Sequence, residues 1–328
     1  MGGDHAPAPI VDGAVAAARH LASGVILVGQ KDRIDAELAR HPDAASLPIE
    51  VLDAPEVVGM NESPVAALRR KPASSIRLAI AAVADGRAAA VVSAGNTGAT
   101  VLAAHAALGL LPGVHRPALA TAIPTKTSRA VLLDVGANAE CRPSHLLHFA
   151  VMGSVYAQLA LGVAEPRVGL LSIGEEETKG NELTRDAHRA LKDAPVRFIG
   201  NVEARDVYSG VADVIVCDGF TGNVALKVSE GLADMVEALL REELSSTFST
   251  RVGYLLSLRA FRRFRKRVDY SEYGGAPLLG VGGVVIVAHG RSSAKAVRNA
   301  ILLASRFSRD KLISQIEQGI GGLTVAES

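Results

Sequence analysis

The chain reads as an α/β protein, a three-layer α/β/α arrangement built on a mainly parallel sheet. Two observations carry that expectation. Short apolar runs recur and end alike: AVVSAGNTGAT (90–100), VLLDVGANAE (131–140), VGLLSIGEEETKGNE (168–182) and VIVCDGFTGNVA (214–225). Each is a buried-type strand that stops in Gly, Asn, Thr, Asp or Lys, and helix-compatible sequence follows. The composition agrees. Of 328 residues, 48% are hydrophobic but only 4% aromatic, with no Trp. The core must be aliphatic, and abundant Ala and Val suit close packing of helices on a sheet.

The elements follow in order. GVILVG (24–29) is a strand closed by Gly29, and a polar helix starts near Lys31. LPIEVLDA (47–54) is a strand candidate. ESPVAALRRKP (62–72) is a basic helix start or loop. In SSIRLAIAAVADG (74–86), Ile76, Ala79, Ile80 and Val83 fall at helical spacing, with Gly86 as a C-cap. Strand 89–93 leads through a loop to helix 97–109. RPALATAIPT (116–125) and AVLLDVG (130–136) predict adjacent strands. Then come helix 143–162, strand 167–173, helix 181–192, strand 197–203, strand 213–217 and a long helix 222–243. Strand 281–290 precedes helix 293–307, and a terminal helix covers 309–318. No fixed-period repeat or low-complexity tract interrupts the series.

Several function classes are disfavoured. The net charge is +1, so the average gives no reason to expect nucleic acid. Cys141 and Cys217 lack metal-ligand spacing and sit in or just after apolar strands, as buried thiols of a reducing cytoplasm do. No signal peptide precedes the first charges and no apolar run reaches about 18 residues. HExxH, Gly-x-Ser-x-Gly and Walker A patterns are absent, and the nine His form no recognisable metal cluster. The remaining chemistry is polar and non-covalent, with no cofactor expected.

Strand ends rich in Gly and small polar residues are where open α/β folds place ligands, and a following helix N-terminus attracts anions. Four such ends suggest a composite anion pocket. Ser93, Asn96, Thr97 and Gly98 are candidates, although Asn96 or Thr97 could equally cap a helix. Asn138 belongs to the second loop. In the third, Lys179 is either part of a solvated turn or a cation held neutral by acids until an anion arrives, with Asn181 beside it. Glu175, Glu176 and Glu177 could hold a divalent metal, but adjacent acids point in different directions, which disfavours it. In the fourth, Asp218, Gly219 and Thr221 surround Asn223; an acid or hydroxyl here could cap, and Asn223 could donate to a developing oxyanion. Asp4 and His5, KPASS (71–75) and HGRSSA (289–294) add further polar groups.

RVGYLLSLRAFRRFRKR (251–267) is a separate signal. Six of residues 259–267 are Arg or Lys, and without them the remainder carries −5. Tyr254, Leu258, Phe261 and Phe264 fall near one apolar helix face with Leu255 beside it, and Arg262, Arg263 and Arg265 rim it. That pattern suits an anionic membrane surface, an acidic protein or a dimer partner. The alternative is a solvated helix packed on its own domain.

Taken together, MGGDHAPAP, KPASS, VVSAGNTGA, LLDVGANAE, SIGEEETKGNEL, CDGFTGNVALK and YGGAPLLGV (273–281) resemble, in order and over nearly the whole chain, the bacterial phosphate acyltransferases of phospholipid synthesis (PlsX type). The resemblance implies an isocitrate/isopropylmalate dehydrogenase-like fold, shared with phosphotransacetylases. It implies transfer of a long-chain acyl group from acyl carrier protein to inorganic phosphate, with phosphate as direct nucleophile and no covalent enzyme intermediate. It also implies a single domain over 1–328 with a basic amphipathic segment near 245–270, and a homodimer in the cytoplasm, peripheral to the inner face of the cell membrane. The product would feed a glycerol-phosphate acyltransferase. Lys179 and Asn223 become the expected catalytic pair, with Asp4, His5, Ser93, Asn96, Thr97, Gly98, Asn138, Asn181, Asp218, Gly219 and Thr221 around them. The other readings are a coenzyme A-dependent phosphotransacylase of the same fold and a membrane scaffold with a vestigial pocket. One departure stands out. A short apolar strand usually leads into the Gly-Gly-Asp turn, and here Met1 stands where that strand would have ended. Either the sheet lacks this strand or the natural start lies upstream.

Overall fold

The computed structural model describes residues 1–268 and 274–326, with side chains placed for all of these except 262, 264–268 and 324–326. The chain opens with helix α1 (Ala8–Ala18), strand β1 (Val25–Gly29), helix α2 (Lys31–Leu38) and strand β2 (Ile49–Asp53). Helices α3 (Pro64–Arg70) and α4 (Ser75–Ala84) lead to β3 (Ala90–Ser93) and α5 (Thr97–Leu108). A hairpin of β4 (Ala118–Pro124) and β5 (Arg129–Leu133) precedes α6 (Pro143–Leu161), β6 (Arg167–Ser172), α7 (Glu182–Lys192), β7 (Arg197–Glu203) and β8 (Val214–Val216). Two long helices, α8 (Gly219–Ser246) and α9 (Phe248–Val268), come before β9 (Ala276–Leu279), β10 (Val284–Val287), α10 (Ala294–Arg309) and α11 (Leu312–Ala326).

Eight strands form one sheet in the order β3-β10-β9-β4-β5-β8-β6-β7. Four of its pairings are parallel and three, around β9 and β4, are antiparallel. Side-chain alternation fills both faces. Val131, Leu133, Val214 and Val216 face α6, α7, α10 and α11, whereas Ala130, Leu132 and Ile215 face α4 and α5. The expected three layers and mainly parallel pairing are present, and the 116–136 region forms the antiparallel hairpin that its two apolar runs predict.

Four features differ from the sequence expectation. Helix α1 arises from a stretch that reads as a turn, because Pro7 is its N-cap and Pro9 lies in the first turn, where no N–H is needed. Strand β9 contains Pro277, which argues against a central strand, but only Leu278 and Leu279 of that strand pair with β4. Helix α8 begins three residues earlier than expected, so Asn223 lies within its first turns. Helix α11 begins later than residue 309 and runs longer.

Strands β1 and β2 form a separate parallel pair. Both β1 and β3 line a cavity of about 1240 Å³ that Met1 and Gly2 also line. Among the described residues no helix is long and apolar enough to cross a membrane.

Candidate active site

Strands β5, β8 and β6 are neighbours, and Val216 is in register with both Leu133 and Leu170. Segments 134–138, 217–223 and 173–181 therefore leave the sheet side by side. Asp134 organises the first. It is fully buried and accepts N–H bonds from Leu119, Gly136 and Ala137 at 3.0–3.1 Å on one oxygen. On the other it accepts from the backbone and the side-chain amide of Asn138, at 2.8 and 2.9 Å. Burial pushes its carboxyl pKa up, and these N–H bonds oppose the rise. Asp134 escaped the sequence reading, although a lone acid closing an apolar run was the signal available.

The first turn of α8 packs backbone against backbone on this loop. A Cβ on Gly222 would lie 1.9 Å from the Asp134 carbonyl oxygen, which only glycine tolerates, and the Gly219 N–H bonds the Asn138 carbonyl at 2.8 Å. Asp218 is the N-cap, accepting the Thr221 N–H at 2.8 Å and the Thr221 hydroxyl at 2.7 Å. Because Asp218 caps, Asn223 is not needed as a cap; it is exposed, with no hydrogen bond among the described residues. Its amide nitrogen would lie 3.4 Å from a Cβ on Gly136, whose φ of +134° also requires glycine.

In the 173–181 loop the Lys179 N–H closes a turn on the Glu176 carbonyl, and its side chain is exposed. The expected neutralisation by adjacent acids does not occur. Glu177 pairs with Lys192 at 2.6 Å, Glu175 approaches Arg205 at 3.8 Å, and neither these nor Glu176 pairs with Lys179 among the described residues. Asn181 caps α7 through its oxygen, 2.9 Å from the Thr184 N–H, and its amide nitrogen has no partner among the described residues. Ser172 adds a buried hydroxyl that no described group satisfies. No group of three or more His, Cys, Asp or Glu among the described residues could hold a metal ion.

The 93–98 loop belongs to the other half of the sheet. The antiparallel pairings make β3 and β10 run opposite to β5, β8 and β6, so 93–98 lies at the C-terminal ends of the other half. Here the capping alternative holds for Asn96. Its oxygen accepts the Ala99 N–H at 3.0 Å, and its nitrogen donates to the carbonyls of Gly59, Met60 and Glu62 at 3.1–3.2 Å. Ser93 bonds Thr100 at 3.0 Å. Thr97 and Gly98 are half-buried at the start of α5. Asp4 and His5 are exposed beside this group, with the Asp4 N–H on the Gly290 carbonyl at 2.9 Å. In KPASS, Lys71 is tied to Glu62 and to the Val57 carbonyl.

On α9, Leu255 is exposed, Leu258 and Phe261 are half-buried, and Tyr254 packs on Phe261 at 5.2 Å. Arg263 is exposed; the side chains of Arg262, Phe264 and Arg265 lie outside the described residues. Helix α8 adds an apolar stripe of Val224, Val228, Leu232, Met235 and Leu239, each 48–65% exposed.

Known proteins match this frame. A family model described as "Fatty acid synthesis protein" matches residues 1–315. The phosphate acyltransferase of Geobacter sp. (strain M21) is 53% identical over 308 residues, covering 94% of this chain and 87% of that protein. That of Heliobacterium modesticaldum is 50% identical over 322 residues, covering 98% and 96%. Among solved structures, a phosphotransacetylase from Streptococcus pyogenes superposes with a TM-score of 0.65 at 15% identity, covering 93% of this chain and 92% of that one. The EutD phosphotransacetylase from Staphylococcus aureus gives 0.60 at 14%, covering 92% and 91%. At such identities the likeness is one of fold. The chain thus belongs to the fatty acid synthesis protein family of PlsX-type phosphate acyltransferases, enzymes that transfer an acyl group to phosphate in lipid synthesis.

Proposed function

We propose that the acyl donor is a long-chain acyl thioester of acyl carrier protein, and that inorganic phosphate attacks it directly at Lys179 and Asn223. One observation carries this reading. On the three adjoining strand ends, the amides of Asn138 and the groups of Asp218 and Thr221 are tied within the protein, while Lys179 Nζ and Asn223 Nδ2 are exposed donors without a partner among the described residues.

In this reading Lys179 orients phosphate and offsets its charge, with the Asn181 amide nearby. A phosphate oxygen forms a bond to the thioester carbonyl carbon, and Asn223 donates to the oxyanion that develops. The intermediate collapses, the C–S bond breaks, and the sulfur leaves as a thiolate that takes up a proton. Acyl phosphate remains for a glycerol-phosphate acyltransferase. No enzyme nucleophile is required. Cys217 is fully buried, and burial holds the Cys141 thiol up at about 12, so neither suits that role.

The apolar stripe on α8 supports a homodimer, and the basic amphipathic sequence of 251–267 supports peripheral contact with the anionic inner surface of the cell membrane. Residues 1–328 act as one acyltransferase unit in this reading. The test supplies phosphate with either carrier-protein or coenzyme A thioesters and traps acyl phosphate with hydroxylamine. Preference for the carrier thioester is expected. Equal or better use of short-chain coenzyme A thioesters would shift the assignment to a phosphotransacylase. Vesicle flotation with Leu258→Glu/Phe261→Glu checks the membrane face, and loss of binding to anionic vesicles is expected.

A further inference from the structure

One turn beyond Asn223 on the same face of α8, Lys227 reaches the other half of the molecule. Its Nζ lies 3.5 Å from Nε2 of His289, in the loop that follows β10. That loop adjoins the 93–98 group through the Ala288 N–H on the Ser93 carbonyl at 2.8 Å, and the 2–5 turn through Gly290. Lys227 and His289 therefore join the two sets of loops.

The chemistry of this contact is unusual. His289 Nδ1 accepts the backbone N–H of Arg291 at 3.1 Å. A neutral imidazole that accepts at Nδ1 carries its proton on Nε2. Nε2–H then faces an ammonium, and two donors at 3.5 Å cannot bond one another. An oxygen acceptor shared between them resolves the conflict. Glu230 takes one Lys227 proton at 2.7 Å, and two of the three ammonium protons remain. Asp4, also near this loop, lies 3.7 Å from Arg291. Lys227 is about half exposed and His289 is exposed, so the gap is open to solvent.

We propose that Lys227 and His289 form a phosphoryl-oxygen subsite, one helical turn from Asn223. The oxygen comes either from free phosphate or from a phosphate ester carried by the thioester donor. Only the choice between these sources rests on the function proposed above; anion binding by the pair does not.

The experiment uses the full chain and the variants Lys227→Met, Lys227→Arg, His289→Gln and Glu230→Gln, each checked for folding by its urea midpoint. Thermal stabilisation by inorganic phosphate and by coenzyme A is measured first. KM is then measured for phosphate, for an acyl-coenzyme A, and for an acyl-N-acetylcysteamine, which carries no phosphate. Removing a charged hydrogen-bond donor should raise the relevant KM about ten- to a hundredfold. A rise in phosphate KM in Lys227→Met and His289→Gln identifies free phosphate. A rise confined to acyl-coenzyme A, with acyl-N-acetylcysteamine unchanged, identifies the donor's phosphate ester. Lys227→Arg should recover most of the loss, and Glu230→Gln should leave KM unchanged or lower it. The subsite is overturned if both KM values stay within twofold of wild type, if Glu230→Gln reproduces the defect, or if neither ligand stabilises the wild type. Should the wild type make no acyl phosphate, the proposed function fails, while phosphate stabilisation lost in Lys227→Met still decides the subsite.

Discussion

Loops 93–98 and 218–223 both follow a short apolar strand, both combine Gly, Thr and Asn, and both open a helix. In the first, Asn96 is itself the N-cap, and its amide is fully occupied by α5 and by the carbonyls of 59–62. In the second, Asp218 caps the helix and Asn223, five residues later, is released to solvent. The same residue type therefore serves the frame in one half of the sheet and stands free in the other. What separates them is which residue satisfies the first orphan N–H groups of the helix.

Removing the free cation tests the contrast most severely. Lys179→Ala should lower kcat/KM about a thousandfold, in line with loss of one charged, preorganised group. Its urea midpoint should barely move, since the side chain is exposed and pairs with no described residue. Steady-state rates within threefold of wild type would remove Lys179 from the chemistry. Asn223→Ala comes next, with a fall in kcat of about a hundredfold and again little change in stability. Asn96→Ala should behave in the reverse way. Losing a cap and the donor to three carbonyls should cost about 2–3 kcal/mol in urea unfolding, while the folded fraction keeps kcat/KM within about threefold. If Asn96→Ala instead lost activity without losing stability, the two loops would not differ as described.

The smallest effect concerns the frame at the start of α6. His148 is buried beside His115, with ring centroids 4.8 Å apart. Burial first, then His115 and His145, lower its pKa from 6.5 to about 4. The fold thus holds His148 neutral while the unfolded chain binds a proton below pH 6.5. Its contribution is present above pH 6.5 and is lost as pH falls towards 4, to the extent of about 1–2 kcal/mol. His148→Gln should flatten the fall of Tm across that window. An unchanged slope would locate the acid sensitivity elsewhere.

Much of this was legible in the chain. The unbroken apolar runs in VLLDV and VIVCD report strands buried on both faces, and both faces are filled from opposite layers. The loops that follow were recognisable because Gly and Asn recur at each strand end. The composite pocket was only partly legible. Local pattern does not reveal strand direction or register: the antiparallel pairs around β9 and β4 reverse β3 and β10 relative to β5, β8 and β6, and only the register brings the Val287 and Leu133 ends to nearly the same level of the sheet. Asp134 was hidden for a related reason. Its five donors come from two segments, and the link to Leu119 exists only once β4 and β5 pair.

By itself the sequence determined the fold class, the family and the residue types at each strand end, because burial period, glycine and caps act over a few residues. Tertiary structure alone decided which polar groups remain free. Whether an amide is a ligand or a brace depends on carbonyls that lie tens of residues away, as with Asn96 and the 59–62 turn. It also decided that Lys227 meets His289, a contact 62 residues apart that exists only because α8 spans the two halves of one sheet.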